Sequence, residues 1–256
     1  MLLGSTLQIG FHYTIAGNVI YPLEAGVSAL VLGGIGVLFI VAKPLLQRLH
    51  TILAILLFVG VAVIAAICLP HAISNGALTD FGSNGTGSGY AIFSLVILAP
   101  WAFVGFEATA FDTAHFKFPI RRSKVLIVVS IIAATFAYIS MALISVAAVP
   151  EGFGSWQEYV SALNSLSGTR SVPTFFVAEN FMGTTGIVIM TITAVSAILT
   201  GIIGGYRATT RLLSTMAEDR ILSRKFTKTT FSIIFVMGIS IALAFLSGTK
   251  YTELVC

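Results

Sequence analysis

The chain contains six apolar stretches, each close to or above the length that one helix needs to cross a bilayer. That length is about 20 residues. Hydrophobic residues make up 57% of the 256 residues and charged residues only 9%, against roughly 25% charged in soluble domains. We therefore predict an all-α fold, a polytopic membrane helix bundle with an N-terminal helix stub at residues 1–10. The predicted spans are residues 25–42, 51–69, 91–112, 125–149, 185–206 and 231–247.

The basic residues predict the orientation of these spans. If the spans alternate, 12 of the 14 Lys and Arg residues fall on one side, which the positive-inside rule assigns to the cytoplasm. The net charge of +4 is thus a topology signal, and we predict no nucleic-acid partner. We predict one transmembrane domain over residues 1–256, with cytoplasmic loops 43–50, 115–124 and 207–229 and external loops 70–90 and 150–181.

The span at residues 91–112 contains two features that a simple membrane helix excludes. Pro100 and Gly105 interrupt it, and Glu107 lies inside it. Hydrocarbon offers no partner for a carboxylate or a freed backbone group, so both must face protein or a water-filled cavity. Interrupted helices of this kind form the binding sites of many transporters. The alternative is a plain kink with a structural acid. The predicted substrate-binding residues are Trp101, Ala102, Phe103, Val104, Gly105 and Phe106, and the predicted gating residues are Trp101 and Glu107.

The fifth span contains several hydroxyl side chains within apolar surroundings. Ser196 and Thr200 share a helix face at i, i+4 spacing, and we identify both as possible ion or substrate contacts. The alternative is that these hydroxyls bond the helix's own backbone. Gly201 and Gly205 form a small-residue pair that permits close helix packing.

The sequence contains no pattern that indicates catalysis. None of the four histidines has a Cys, Asp or Glu at a metal-ligand spacing. No phosphate-binding glycine loop is present, and two cysteines do not form a disulfide framework. We therefore predict no enzyme activity, no cofactor and no metal site.

Two sequence blocks resemble amino-acid permeases of the APC (amino acid–polyamine–organocation) superfamily. The block PWAFVGFEATAFD with the later FPIRR resembles their sixth helix and the loop after it, and GYRATTRLLSTMAEDRILSRKF resembles the end of their eighth helix. The resemblance implies a five-plus-five inverted-repeat transporter, of which this chain would be a fragment holding helices four to nine and a remnant of helix three. The residues that carry it are Gly105, Phe106, Glu107, Arg211, Met216, Ala217, Asp219 and Leu222.

The same resemblance implies roles for the interrupted helix. Main-chain groups around residues 102–105 would contact the substrate, Trp101 would occlude it, and Glu107 would form part of a gate. Some positions depart from the family pattern. Leu57 stands near the place of a lysine found in some proton-coupled relatives, Arg220 replaces a usual glycine, and Ser223 replaces a usual proline. The loop HFKFPIRRSK also differs from the Lys-Asn-Pro-X-Arg pattern of many relatives.

The leading functional hypothesis is secondary active transport of amino acids or related amines by alternating access. The predicted partners are the substrate, a coupled proton, sodium ion or counter-substrate, and the lipid bilayer of the cell (plasma) membrane. The alternative is a truncated membrane protein without transport, acting as a structural or interaction module. A channel is disfavoured because only Glu107 is ionisable at mid-depth, whereas pores need polar rings from several helices.

Overall fold

The computed structural model describes residues 13–15, 18–20, 22–74, 119 and 122–255, and these residues are mainly helical. The predicted span at 91–112, the stub at 1–10 and most of the loop at 70–90 lie outside the described residues. The helices are α1 (Pro22–Val41), α2 (Lys43–Ser74), α3 (Ser123–Ser145), α4 (Trp156–Ala162), α5 (Pro173–Glu218) and α6 (Thr229–Val255).

Four of the described helices are long and apolar enough to cross a membrane: α2, α3, α5 and residues 229–246 of α6. In α1 the apolar portion is shorter, over Ala25–Val41. Large apolar side chains on α3, among them Val125, Ile132 and Phe136, are exposed, as expected for a surface that faces lipid tails. The predicted all-α membrane helix bundle is confirmed.

Several helices extend past the apolar segments that predicted them. Residues 43–50 belong to α2, and residues 173–181 and 207–218 belong to α5, although all three ranges were predicted to be loops. At the start of α2 and the end of α5 the extensions are rich in Leu and Arg, which are good helix formers, so the helix continues where hydrophobicity falls. Prolines fix two of the boundaries. Pro44 has no N–H to donate to the carbonyl of Ile40, and Pro173 occupies the first position of α5, where prolines are favoured.

A short β-hairpin is a local exception to the helical fold. Strands β1 (Tyr13–Ile15) and β2 (Asn18–Ile20) pair antiparallel, with Tyr13 opposite Ile20. This hairpin was not predicted from the sequence. Tyr, Thr, Ile and Val favour strands, and two such runs separated by two residues are typical of a hairpin.

The described helices form two compact units. The first, which we call the α2–α5 unit, comprises residues 53–74 and 123–197. Its core is made of apolar side chains, most of them small or branched, from α2, α3, the segment after α3 and the first part of α5. The core residues are Ile64, Ala65, Cys68, Ala72, Ile144, Ala147, Phe175, Val177, Ala178 and Met190.

The second, which we call the α1–α6 unit, comprises the described residues from 13 to 52, residues 119 and 122, and residues 198–255. Here α6 packs along α1 and against β2. A Cβ atom on Gly36 would lie 2.8 Å from the Met237 sulfur, so the glycine makes room for that side chain. Tyr206 is buried, and its hydroxyl donates a hydrogen bond of 3.1 Å to the Leu32 carbonyl.

Candidate functional site

The interrupted helix predicted to bind substrate lies outside the residues that the structure describes. This applies to Trp101, Ala102, Phe103, Val104, Gly105, Phe106 and Glu107. Their assignment as substrate-binding and gating residues stays a prediction. Ser196 and Thr200 are the predicted site residues that the structure describes, and both lie in α5.

α5 carries hydroxyl groups at buried and half-buried positions, Thr193 and Ser196 in the α2–α5 unit and Thr200 in the α1–α6 unit. Ser196 is only 1% exposed and Thr193 only 3%, while Thr200 is half-buried. The Thr193 hydroxyl donates a hydrogen bond of 2.8 Å to the Ile189 carbonyl one turn earlier. Thr193 therefore matches the alternative considered for the hydroxyls of this span, in which the hydroxyl bonds the backbone of its own helix.

A close contact between α2 and α5 lies beside these hydroxyls. A Cβ atom on Gly60 would overlap the Thr193 side chain, so only glycine fits there without a shift. A glycine within a helix costs about 1 kcal/mol relative to alanine, and a close approach of two helices offsets that cost. Gly60 was not among the residues predicted from the sequence. The sequence contains a signal for a close helix contact here, because Gly60 is the only glycine in the predicted span at 51–69.

α5 is interrupted at Gly183, which has φ 60° and ψ −146°. This conformation is essentially restricted to glycine. The break separates a short segment, residues 173–182, from the long segment, residues 184–218. The predicted span at 185–206 begins two residues after the break. Hydrophobicity therefore predicted where the long segment starts, but it did not identify Gly183 as the residue that interrupts the helix. The ring of Phe181, just before the break, stacks on His71 of α2 at 5.1 Å between centroids.

A folded cap fills much of the predicted external loop. We use this name for residues 150–172, which contain α4 and two 3-10 turns. Ser155 caps α4, because its hydroxyl accepts a hydrogen bond from the Glu158 N–H. Tyr159 is fully buried and contacts the rings of Phe153, Trp156 and Phe176.

The Tyr159 hydroxyl connects two parts of the cap that are eleven residues apart in the sequence. It donates a hydrogen bond of 2.7 Å to the Arg170 carbonyl, and burial raises the pKa of this hydroxyl. It therefore remains protonated, and a donor, throughout the neutral range. The cap is an ordered structure held by one aromatic cluster and one long-range hydrogen bond.

The second permease-like sequence block forms the end of α5. Arg220 has φ 61°. Its N–H donates to the Ala217 carbonyl, and the Ile221 N–H donates to the Met216 carbonyl. These bonds define a Schellman motif with Arg220 at the left-handed position. The family pattern places glycine at this position, and the structure gives the physical reason, since glycine adopts positive φ without strain.

The described residues contain no group of three or more His, Cys, Asp and Glu side chains that could hold a metal ion. Cys68 is buried in the α2–α5 unit as a free thiol. The described buried polar side chains are instead hydroxyls: Ser140, Thr193, Ser196, Thr210 and Ser232. These neutral groups bind through hydrogen bonds or as weak oxygen ligands, and they offer no acid–base chemistry.

Comparison with known proteins supplies the family. A family model described as amino acid permease matches residues 5–255, nearly the whole chain. No curated protein and no solved structure matches the chain. The family match covers both sequence blocks, confirms the predicted resemblance to permeases of the APC superfamily, and points to a transporter rather than an enzyme. The chain therefore belongs to the amino acid permease family, as a multi-pass integral membrane protein of the class that transports amino acids across membranes.

Proposed function

We propose that the chain acts in secondary active transport of amino acids or related amines by alternating access. The observation that carries this proposal is the family match over residues 5–255. Several membrane-length helices and a buried face of hydroxyls support it, because transporters bind polar solutes between such helices. The driving force would be a proton, a sodium ion or a counter-substrate, and the membrane would be the plasma membrane.

In this proposal the substrate is held at the interrupted segment of residues 101–106. Backbone groups freed by Pro100 and Gly105 would contact the charged groups of the amino acid, and the nearby helix end would add its dipole. Trp101 would cover the bound substrate. Glu107 would link this segment to neighbouring helices as part of the gate.

The test is uptake of radiolabelled amino acids by the purified chain in vesicles. We expect Trp101→Leu and Glu107→Ala to abolish uptake while the protein is still expressed and inserted. Phe136→Leu and Glu179→Ala are matched controls at exposed positions and should retain uptake. Normal uptake with both site substitutions would refute the assignment. A chain that neither binds nor carries any amino acid would favour the structural or interaction role.

We further propose that Ser196 and Thr200 contact the coupled ion or the substrate. Burial of Ser196 on an apolar helix supports this, because binding sites for small polar solutes are mainly apolar with a few Ser or Thr hydroxyls that contact the solute.

Ser196→Ala can be compared with Thr191→Ala, since Thr191 is exposed and its hydroxyl bonds the Ile187 carbonyl. Uptake is measured under a sodium gradient, a proton gradient and counter-substrate loading. We expect Ser196→Ala to reduce the stimulation of uptake by one of these three driving forces at least tenfold. Thr191→Ala should leave that stimulation unchanged. Equal behaviour of the two variants would contradict a role for Ser196.

A further inference from the structure

The connector between α5 and α6, residues 219–228, is strongly basic. It carries four exposed cationic side chains, Arg220, Arg224, Lys225 and Lys228, and after Asp219 it has no acidic residue. Within the part of the chain that the structure describes, none of the four is held by an ion pair. With four cations against the single carboxylate of Asp219, the connector has a formal net charge of +3.

The connector has a fixed conformation. Residues Arg224–Thr227 form a 3-10 turn. The Phe226 ring meets the rings of Phe231 and Phe235 edge-on, each at 5.0 Å between centroids. The Ser232 hydroxyl donates a hydrogen bond of 2.8 Å to the Phe226 carbonyl. The turn is thus anchored to the start of α6, and the cations around it are presented without a large ordering cost.

The connector lies next to an apolar segment. Residues 229–246 of α6, which follow it directly, are long and apolar enough to cross a membrane, so we expect the end of the connector to lie close to the membrane surface. Ile221, next to Arg220, is 66% exposed. An exposed apolar side chain beside several cations matches the boundary between acyl chains and charged headgroups.

We propose that this connector binds the headgroup of an anionic phospholipid in the leaflet that it faces. Arg224, Lys225 and Lys228 bind the phosphate, and Ile221 contacts the upper part of the acyl chains. Basic residues near an anionic membrane surface each strengthen the attraction roughly fivefold. Lipid binding here involves no transported substrate, so it can be measured independently of uptake.

The test is native mass spectrometry of the purified chain in a neutral detergent, titrated with phosphatidylglycerol or phosphatidylcholine. We expect the wild-type chain to bind phosphatidylglycerol at least tenfold more tightly. The combined variant Arg224→Gln, Lys225→Gln and Lys228→Gln should weaken that binding about one hundred-fold. The charge-preserving variant Lys225→Arg with Lys228→Arg should keep it.

A matched control removes three exposed cations from elsewhere on the predicted cytoplasmic side, through Lys43→Gln, Arg48→Gln and Lys124→Gln. It should bind phosphatidylglycerol almost as the wild type does, and an equal loss in the control would overturn the proposal. Inorganic phosphate at millimolar concentration should not displace the lipid. Displacement would indicate a site for free anions and would also overturn it. A wild-type chain without preference for phosphatidylglycerol overturns it whether or not the variants fold.

Discussion

In each of the two units of the molecule, a glycine on one helix makes room for a side chain of another helix, but the side chain differs. In the α2–α5 unit, Gly60 accommodates Thr193, a buried, β-branched side chain. In the α1–α6 unit, Gly36 accommodates Met237, whose thioether has several rotatable bonds. Branched side chains have few rotamers, whereas methionine adapts to irregular spaces. The first contact therefore fixes the distance between its helices more strictly than the second.

The units also differ in where they keep polar groups. The α2–α5 unit buries the hydroxyls of Ser140, Thr193 and Ser196 and carries the folded cap. The α1–α6 unit also buries hydroxyls, at Thr210 and Ser232, but it holds most of the described basic residues, and four of these are exposed on its connector. A hydroxyl can be buried at low cost once it is hydrogen-bonded, but an unpaired cation cannot. The buried hydroxyls of both units thus suit polar contacts inside the membrane, whereas the exposed cations of the second unit suit contacts at the membrane surface.

Gly60→Ala should have the largest effect on stability. The new methyl group overlaps Thr193, so α2 and α5 must separate, and we expect a loss of about 3 kcal/mol of unfolding free energy. Titration with a denaturing detergent measures it. Gly36→Ala is the control and should stay within about 0.5 kcal/mol, because Met237 can move aside while alanine favours the helix.

The double variant Gly60→Ala with Thr193→Ala should recover most of that loss, because it also removes the Thr193 hydroxyl and methyl groups that the new methyl group would overlap. Equal losses for Gly60→Ala and Gly36→Ala would show that the two units do not differ in rigidity.

Gly183→Ala should have the next largest effect. Alanine does not adopt the backbone angles of Gly183 without strain, so we expect a loss of about 2 kcal/mol. The matched control is Gly201→Ala in the same helix, where a Cβ atom meets nothing within 4 Å and alanine should stabilise by up to about 1 kcal/mol. Thermal unfolding in detergent measures both. A neutral Gly183→Ala would mean that the break in α5 does not depend on this residue.

Arg220→Gly should stabilise the chain by about 1 kcal/mol. Glycine removes the strain of a positive φ at the end of α5. Arg220→Ala removes the same charge and keeps the strain, so it should leave the unfolding free energy nearly unchanged. If both variants stabilise equally, relief of charge repulsion is the cause and the backbone argument fails.

The smallest effect should be a loss of cap stability in alkali. Because burial raises the pKa of Tyr159, its stabilising contribution is complete below the unfolded pKa of about 10. It is lost as the pH rises through the higher folded value. We expect residues 150–172 to become more sensitive to proteolysis above about pH 10. Tyr159→Phe should make the cap weaker but insensitive to pH in this range, whereas Tyr138→Phe, at an exposed position, should behave as the wild type does. An unchanged pH profile in Tyr159→Phe would assign the alkaline loss to another group.

Hydrophobicity predicted the helices well where apolar sequence is continuous. The predicted span at 25–42 corresponds to α1, residues 22–41, and the span at 125–149 to α3, residues 123–145. It failed at the start of α2 and at the end of α5, because charged residues with high helix propensity prolong a helix beyond the apolar region. The candidate site was predicted from Pro100, Gly105 and Glu107, and it lies outside the described residues. For Ser196, the sequence supplied the spacing and the structure supplied the burial.

The sequence by itself determined the membrane class, the helical fold and the family, because the solvent inside a bilayer forces every long apolar segment to satisfy its own backbone. It also marked Arg220 as an exception to a glycine pattern. Only the tertiary structure decided which residues meet. The contact of Gly60 with Thr193 and the hydrogen bond from Tyr159 to Arg170 depend on how separate segments pack. Hydrophobic patterning places a helix face inward, but steric fit between particular side chains sets its partner and its distance.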